Sequence, residues 1–567
     1  MPKFLLTILK KEKLPLLIIF AFAVFSFREL LLPGYFLIHD DLQMMRQLEM
    51  EKCFRDFQIP CRWVPDMGYG FGLPLFNFYP PLPYLIGQVI RLLGFSFVDT
   101  VKHLFSLSLL LSGITMYFFA REVWGKWGGL LSSIFYIWAP YHALDIYVRG
   151  AMNEAWALVF FPLTLWSSYK LIKEAQFRWI VTLTLSWAAL LLSHNLMVLI
   201  FAPLFGFWIL LLLFRERSWF TLPQIVGSGI WSLGLAAFFT LPVVFESKFV
   251  QVETLVSGYY EYFAHFADLN QLLLSRFWGY GPSIWGPGDY MAFQVGHLHW
   301  ILSFVSTGII LFGVLRKKEK LFKSEGFLFA LFFFASGWFA TFMAHSRSIQ
   351  IWQAVEPLKF VQFPWRFVTL STLSFSILAG GILAPFAKKK ERLSLILFLV
   401  LAVTVVLINK DYFKPEHIGP LTDEEKFSGA AWELQQAAGI YDYLPKAARI
   451  PPKEARKLLG EVIDGRGEVS DPTESTNRVS FKVGIDTEEA MVRIHVFQFP
   501  GWKVFVDGKE TETFVGEDDL GRMHIKIAKG EHQVLAKFVN TPVRTAGNLI
   551  SLVSWLALFT VPIWRKR

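Results

Sequence analysis

The sequence predicts a polytopic α-helical membrane protein with about twelve transmembrane helices and an extracytoplasmic, β-sandwich-like domain. Of its 567 residues, 54% are hydrophobic and 18% are charged, whereas soluble domains contain about 25% charged residues. The hydrophobic residues are concentrated in runs of about 17–25 residues, which are long enough to cross the hydrocarbon layer as helices. Near the carboxyl terminus the pattern changes to period-two alternation, which is typical of strands.

The apolar runs predict where the chain crosses the membrane. They lie at 14–32, 101–120, 127–140, 155–171, 178–194, 196–214, 221–245, 299–315, 325–343, 365–386, 393–409 and 546–563. A further run at 80–94 is short and contains Arg91, so it predicts an interfacial or re-entrant helix rather than a span. No small-residue cleavage site follows the first run, which is therefore predicted to be a retained helix and not a signal peptide.

The distribution of basic residues predicts the orientation. With the N-terminal lysines in the cytoplasm, alternation of the spans places every dense basic cluster on the cytoplasmic side, as the positive-inside rule requires. The net charge of +9 is therefore interpreted as a topology signal, and no nucleic-acid partner is predicted. The expected location is the plasma (inner) membrane, with both termini cytoplasmic.

This orientation divides the chain into three parts. Residues 1–409 are predicted to form the transmembrane domain, 410–545 an extracytoplasmic soluble domain, and 546–567 the final helix with a basic cytoplasmic tail. The outer face of the membrane domain carries the loops at 33–100, 141–154, 247–298 and 344–364.

The soluble domain is predicted to change character along its length. Its first part, to about residue 470, has helical and coil signals, and alternating strands begin at about 478. The dipeptide Asp507-Gly508 is a strong hairpin signal, and Lys529-Gly530 is a weaker one. Several short strands with such turns favour a small β-sandwich.

The first outer loop offers candidate catalytic carboxylates. Asp40 and Asp41 follow His39 soon after the first span. A carboxylate at a membrane surface suits a general base or a ligand for a divalent cation such as Mg²⁺ or Mn²⁺. The alternative is an ordinary solvated turn.

The same loop contains the only two cysteines and a segment rich in glycine, proline and aromatic residues. Cys53 and Cys61 could form a disulfide outside the cytoplasm, or remain two free thiols. The segment at 62–81 predicts an ordered loop lying on the membrane. Its Tyr69 and Tyr79 are candidates for stacking on a sugar or an isoprenoid, although interfacial anchoring explains them equally well.

The later outer loops add candidate anion-binding residues. Arg149 is a candidate phosphate ligand because a guanidinium group binds phosphate oxygens in pairs. Glu154 lies at the start of the next apolar run and is a candidate acid or base; a structural ion pair with Arg149 is the alternative. The remaining candidates from these loops are His194 and Arg366 for phosphate, with a capping role as the alternative for His194, and Tyr147 and Trp365 for substrate.

Several stretches carry a family resemblance that covers nearly the whole chain. They are His39-Asp40, GYGFGLPLFNFYPPLPY at 68–84, YVRGAMNEAWA at 147–157, SHN at 193–195, FPWR at 363–366, FPGWKVFVDGK at 499–509 and TPVRTAG at 541–547. The chain resembles the GT-C superfamily of integral membrane glycosyltransferases, and in particular the membrane proteins labelled "6-pyruvoyl-tetrahydropterin synthase-related". That pterin chemistry needs a zinc-binding histidine cluster in a soluble fold, so the label is not interpreted as an activity.

The resemblance implies an inverting transfer of a sugar from a polyprenyl-phosphate donor to a glycan or other envelope acceptor. It implies that Asp40, with Asp41 as its rival, is the base or metal ligand. Glu154 matches the second acidic residue, and Arg149 or Arg366 the phosphate contact. A flippase for lipid-linked sugars and a noncatalytic envelope-assembly protein are the alternatives. Few charges lie within the apolar runs, which favours the enzyme over a transporter.

Overall fold

The computed structural model describes residues 12–281, 283, 286, 288, 291–317, 320–386, 391–516 and 519–564. The basic residues before 12 and the predicted basic tail at 565–567 lie outside the described residues. The chain forms two compact units. The first unit comprises Met1–Asp41, Asp99–Ser232 and Val256–Pro420, and the second comprises Leu42–Val98, Leu233–Leu255 and Leu421–Arg567.

The first unit is built from helices. Its longer helices are Lys13–Ser26, Phe97–Ile137, Met152–Glu174, Phe177–Ser193, Asn195–Glu216, Leu222–Leu235, His297–Arg316, Glu325–Met343, Val368–Gly381 and Glu391–Asn409. Two of them, Phe97–Ile137 and Leu222–Leu235, extend a few residues past the unit's boundaries, and Pro140–Ala143 and Ile349–Ala354 are short. A small antiparallel pair, β1 at Tyr35–Phe36 and β2 at Ile418–Gly419, joins the residues after the first helix to those after the last.

The described helices correspond to the predicted apolar runs, but fewer than twelve meet the length expected of a span. Seven are long and apolar enough to cross a membrane, or eight if the sharply bent pair Trp219–Leu235 and Ala237–Phe249 is one span. Lys13–Ser26 and Phe177–Ser193 are shorter apolar helices. The multi-helix membrane architecture is thus confirmed, and the number twelve stays a prediction.

The longest helix corresponds to two predicted runs. A straight helix of 41 residues would measure about 60 Å, twice the thickness of the hydrocarbon layer. At Gly125, however, φ is 78° and ψ is −179°, values outside the helical region. The helix is therefore interrupted between the runs at 101–120 and 127–140, where the sequence predicted a cytoplasmic connection between two spans.

The second unit combines short helices with all the remaining strands. Its helices are Gln43–Arg55, Leu75–Phe78, Leu82–Leu92, Ala237–Glu246, Asp423–Lys426, Gly429–Ala437 and Pro542–Trp564. Its strands are β3 at Gly460–Asp464, β4 at Gly467–Ser475, β5 at Arg478–Phe497, β6 at Trp502–Val506, β7 at Lys509–Thr511, β8 at Phe514–Val515 and β9 at Arg522–Phe538. The unit groups residues 42–98 of the first outer loop with residues 421–545 of the soluble segment, whereas the predicted domain boundaries separated them.

The strands form one antiparallel sheet in the order β3-β5-β9-β6-β7, with β4 also on β5 and β8 also on β9. The long strands β5 and β9 pair with each other along most of their length, and this pairing shifts register between Ile485 and Glu489. Alternate residues of β5 and β9, such as Val479, Phe481, Val483 and Val534, are buried. These strands therefore form a single seven-stranded sheet, where the sequence predicted a sandwich of two sheets.

Three local predictions for this domain have different outcomes. The Asp507-Gly508 hairpin is confirmed, since Val506 pairs with Lys509 and both turn residues have positive φ. The hairpin at Lys529-Gly530 is wrong, because β9 continues through Gly530 with a local irregularity in place of a turn. The helical or coil prediction to about 470 is also wrong for β3 and β4, which add to the edge of β5.

A disulfide closes a short segment of the first outer loop. Cys53 and Cys61 form a disulfide, which resolves the alternatives that the sequence left open. Both cysteines are buried, and Cys53 lies in the helix Gln43–Arg55. The loop that follows packs Trp63 against Trp502 and Phe538 of the sheet, with ring centroids 5.3 Å apart in each case.

A buried ion pair connects two of the family-like stretches within the second unit. Arg544 of TPVRTAG donates from Nε to Glu246 Oε2 at 2.8 Å and from Nη2 to the carbonyl of Pro500 in FPGW at 2.8 Å. Glu246 also accepts a hydrogen bond from the Thr541 hydroxyl. Both charged side chains are buried, so each depends on the other for neutralisation.

Replacing Arg544 by methionine should lower the unfolding free energy by about 3–5 kcal/mol, because Glu246 would remain buried and uncompensated. Thermal unfolding of the purified protein would measure the loss. The control is Lys503→Met, which removes the exposed pair with Glu510 and should cost less than about 1 kcal/mol. Equal melting temperatures for the two variants would contradict the importance assigned to Arg544.

Candidate functional site

The first and second outer loops meet through their backbones in the first unit. The N–H of His39 donates to the carbonyl of Val148 at 3.0 Å, and the N–H of Asp40 donates to the carbonyl of Arg149 at 2.9 Å. The sequence-predicted carboxylate and the sequence-predicted phosphate ligand are therefore neighbours. Asp40 and Asp41 are both partly exposed.

A glycine makes this approach feasible. Gly150 has a φ of +64°, in the region that residues with a Cβ rarely adopt, and a Cβ there would lie 2.6 Å from Cδ1 of Ile38. Ile38 is two residues before Asp40. Close contact between the two loops thus requires the glycine for both its backbone conformation and its lack of a side chain.

Arg149 is the centre of a charged cluster. It follows a π-helical turn at Leu144–Val148, a local irregularity that often occurs at functional sites. Its Nη1 donates to Asp145 Oδ1, to Glu154 Oε2 at 2.9 Å and, at a longer 3.4 Å, to the Tyr141 hydroxyl. The guanidinium group also lies over the ring of Trp365, 4.5 Å from its centroid.

Glu154 connects the second outer loop to the beginning of a later helix. Its Oε1 accepts a hydrogen bond from the Tyr141 hydroxyl at 2.7 Å, and its Oε2 accepts one from Arg366 Nε at 3.3 Å as well as that from Arg149. Arg366 also donates to the carbonyl of Val361 at 2.8 Å. The ion pair that the sequence left as an alternative for Glu154 is therefore present, with a second arginine added.

Asp145 belongs to this cluster, although the sequence analysis did not select it. Its side chain is fully buried, and within the described part of the chain its Oδ2 has no hydrogen-bond partner. Burial, and next the charge of Glu154, raise the pKa of Asp145 well above its usual value. The available sequence signal was its position four residues before Arg149, which places the two side chains on one face of a helical turn.

His194 has the capping geometry that was left open for it. Its Nδ1 accepts a hydrogen bond from the N–H of Leu196 at 3.2 Å, at the start of the helix Asn195–Glu216. The charges of Arg366 and Glu154 act on its imidazole ring. It therefore borders the charged cluster while serving as an N-cap, and its predicted phosphate contact stays a prediction.

The aromatic candidates are placed differently from one another. Trp365 borders the cluster and stacks on Phe293 and Phe363, each at a centroid distance of 4.7 Å. Tyr147 is fully buried, and its hydroxyl donates to the carbonyl of Ser26 at 2.8 Å, which favours a packing role.

Tyr69 and Tyr79 belong to the second unit. The N–H of Tyr69 donates to the carbonyl of Gln436 at 3.1 Å, and the guanidinium group of Arg46 lies over the ring of Tyr79 at 4.3 Å. Both tyrosines therefore take part in the packing of that unit. Their predicted contact with substrate stays a prediction.

A metal ion bound by protein side chains alone would need several histidine, cysteine, aspartate or glutamate residues close together. Among the described residues, no group of three or more histidine, cysteine, aspartate or glutamate side chains has a metal-binding arrangement. Asp40 and Asp41 are adjacent in sequence and partly exposed, and one carboxyl oxygen of Asp41, Oδ1, is buried. This fits a cation such as Mg²⁺, which proteins often bind through one or two carboxylates while substrate phosphate supplies further oxygens.

Gly150→Ala should destabilise the protein by about 1–3 kcal/mol, because the added methyl group collides with Ile38 in a backbone conformation that is already unfavourable for alanine. The matched control is Gly258→Ala, since Gly258 has a φ of +60° but open space around it. Thermal unfolding should rank Gly150→Ala below Gly258→Ala. In the Gly150→Ala background, Ile38→Ala should recover part of the loss, and a lack of recovery would argue against the steric explanation.

The raised pKa of Asp145 predicts a pH-dependent difference between the wild type and Asp145→Asn. An acid whose folded pKa lies above its unfolded value of ~3.9 favours folding at lower pH, and this contribution is lost as the pH rises through the folded pKa. The melting temperature of the wild type should therefore fall relative to that of Asp145→Asn between pH 4 and pH 8. Parallel curves would show that Asp145 titrates normally.

Three solved structures of the Archaeoglobus fulgidus oligosaccharyltransferase share limited similarity with this chain. The apo form is 11% identical with a TM-score of 0.41 and covers 72% of this chain and 57% of its own. The complex with Zn and sulfate is 10% identical with a TM-score of 0.40, covering 71% and 53%. The form tethered to an acceptor peptide containing the NVT sequon is 12% identical with a TM-score of 0.41, covering 73% and 56%.

Sequence comparisons give a relative and a family. An uncharacterized protein of Lactococcus lactis subsp. cremoris (strain MG1363) is 25% identical over 224 residues, which cover 38% of this chain and 35% of that protein. This chain thus spans about a third of the Lactococcus protein and little more than half of the oligosaccharyltransferase. The profile described as "6-pyruvoyl-tetrahydropterin synthase related domain; membrane protein" matches residues 76–412, more than half of the chain. The chain therefore belongs to the 6-pyruvoyl-tetrahydropterin synthase-related family of membrane proteins.

Proposed function

We propose that this membrane protein is a GT-C-type glycosyltransferase that moves a sugar from a polyprenyl-phosphate donor to a glycan or other envelope acceptor on the outer face of the cell membrane. The observation that supports it most directly is the hydrogen bond between the N–H of Asp40 and the carbonyl of Arg149. It brings together the backbones of two residues whose side chains, a carboxyl group and a guanidinium group, are of the kinds that such a transfer needs.

Arg149 would hold the donor phosphate. Its hydrogen bonds within the described part of the chain all use Nη1, and its side chain is 11% exposed. The other nitrogen atoms of the guanidinium group are therefore available to phosphate oxygens. Glu154, which also binds Arg366, would fix the orientation of Arg149, and the Trp365 ring would limit its movement.

Asp40 would act as the general base in a single displacement. The acceptor oxygen attacks the anomeric carbon, its proton passes to a carboxylate oxygen of Asp40, and the bond from carbon to phosphate oxygen breaks with both electrons leaving on the polyprenyl phosphate. Attack opposite the leaving group inverts the anomeric centre. Asp41 is the alternative base, and a divalent cation held by Asp40 and Asp41 would stabilise negative charge on the phosphate.

The second unit would contribute recognition of the acceptor or of a partner. It contains residues 42–98, with Tyr69 and Tyr79, and the seven-stranded sheet. The sheet carries an open cleft of about 540 Å³ between β3 and β4, lined by charged residues such as Arg456 and Glu461 and by apolar residues such as Val462. A lining of this mixed kind suits a ligand with both polar and apolar faces, such as a sugar.

The proposed function is tested by sugar transfer in proteoliposomes from a panel of radiolabelled polyprenyl-phosphate sugars. Asp40→Asn should reduce the rate by about 10²–10⁴-fold if Asp40 is the base. Arg149→Lys should also be impaired, because lysine keeps the charge but cannot bind two phosphate oxygens side by side. Asp41→Asn then tests the rival base or metal ligand.

Lys359→Ala is the matched control, since it removes an exposed ion pair with Glu356 in the outer loop 344–364. It should leave the rate unchanged. Equal transfer by the wild type, Asp40→Asn, Asp41→Asn and Arg149→Lys would refute the mechanism.

One observation favours a flippase as the second candidate. The bent pair Trp219–Leu235 and Ala237–Phe249 has the form of a broken span, and broken helices are frequent in transporters. A fluorescent polyprenyl-phosphate sugar that crosses the proteoliposome membrane without being consumed would support this alternative. Neither transfer nor crossing would leave an envelope-assembly role.

A further inference from the structure

Among the described residues, a second arginine, remote in sequence from Arg149, is buried without an ion-pair partner. Arg62 of the second unit is 3% exposed. Its Nη1 donates to Asn77 Oδ1 at 2.9 Å, and its Nη2 donates to the carbonyl of Phe238 at 3.1 Å and to Asn548 Oδ1 at 2.7 Å. All three acceptors are neutral, so the hydrogen bonds position the guanidinium group without neutralising it.

The carboxylate whose charge acts on Arg62 is paired with another arginine. Glu246 lowers the electrostatic cost of Arg62, but its ion pair is with Arg544. The group of Arg62, Arg544 and Glu246 therefore carries a net charge of about +1. Burial and the charge of Arg544 lower the pKa of Arg62 only to about 9, so the guanidinium group stays charged at neutral pH.

Unused donors accompany the uncompensated charge. Within the described part of the chain, Arg62 Nε and Asn77 Nδ2 are buried and have no acceptor. A buried donor without an acceptor is destabilising, because folding removes its hydrogen bond to water and supplies no replacement. A water molecule could accept these hydrogen bonds, but it would not compensate the charge.

We propose that Arg62 and Asn77 form a site for a singly charged anion that completes the interior of the second unit. Arg62 supplies the charge, and Arg62 Nε and Asn77 Nδ2 supply the donors. Asn548 is half-buried and lies in the apolar helix Pro542–Trp564, next to the lipid if that helix spans the membrane. The anion is therefore either a small free ion such as chloride or the phosphate of an anionic lipid. This proposal does not depend on the proposed function.

The experiment measures thermal unfolding of the full-length protein, delipidated in neutral detergent and exchanged into sodium gluconate, whose anion is much larger than chloride. Chloride is then titrated in at constant sodium concentration. In separate arms, phosphatidylglycerol or phosphatidylcholine is added without chloride. A saturable rise in melting temperature of ~3 °C or more is expected from chloride or from phosphatidylglycerol.

The chloride arm and the phosphatidylglycerol arm distinguish the two possible sources of the anion. A rise with chloride identifies a free anion, and a rise with phosphatidylglycerol alone identifies a lipid phosphate. Phosphatidylcholine carries no net charge and should produce a smaller effect. The absence of a rise in every arm, or equal rises with both lipids and none with chloride, overturns the proposal.

A charge-supplying variant gives an independent test. Asn77→Asp places a carboxylate 2.9 Å from Arg62 Nη1 and gives up only an amide donor that has no acceptor. It should raise the melting temperature in gluconate and abolish the response to added anion. The matched control is Asn409→Asp, because Asn409 is also buried but donates to the carbonyl of Trp138 at 2.9 Å. This control should lose stability and keep the anion response; an Asn77→Asp variant that behaves in the same way overturns the proposal.

Discussion

The candidate site depends on one buried carboxylate that contacts both Arg149 and Arg366. Glu154 is fully buried at the start of a helix that is long and apolar enough to cross a membrane, and there an ionised group is stable only when it is paired. Because both guanidinium groups bind the same oxygen atom, the second outer loop and the segment before Val368–Gly381 are held together at one point. The position of Arg149, and hence its distance from Asp40, follows from this arrangement.

In each unit, arginine residues lie next to carboxyl groups in the interior, but the number of carboxyl groups differs between the units. In the first unit, two arginines share Glu154, and Asp145 adds a second carboxyl group that contacts Arg149. In the second unit, Glu246 is committed to Arg544, and Arg62 has only neutral acceptors. The contrast distinguishes a cluster that is nearly balanced internally from one that needs a component from outside the chain.

Sequence reasoning recovered what local patterns encode. The apolar runs and the Asp507-Gly508 hairpin depend on composition and turn chemistry, both of which are visible in a short window. Asp145 could have been found from its spacing to Arg149. The contact of Arg366 with Glu154 could not, because 212 residues separate the two and no local pattern specifies the pairing.

The errors in the soluble domain have a similar origin. Gly530 reads as a turn when β9 is considered alone, but β5 pairs with β9 on both sides of that position and keeps the strand extended. The strands β3 and β4 contain charged and turn-forming residues because they lie at a sheet edge, where such residues are favoured. Edge strands of this kind resemble coil until their partner strand is known.

The separation of Glu246 from Arg544 has a consequence for biosynthesis. The two residues are 298 positions apart, so a ribosome completes most of the polypeptide before the glutamate meets its arginine. Until then the nascent protein carries an unmatched acid at the end of the helix Ala237–Glu246. A prematurely terminated product would keep this defect permanently, which gives membrane quality-control proteases a chemical difference between finished and truncated molecules.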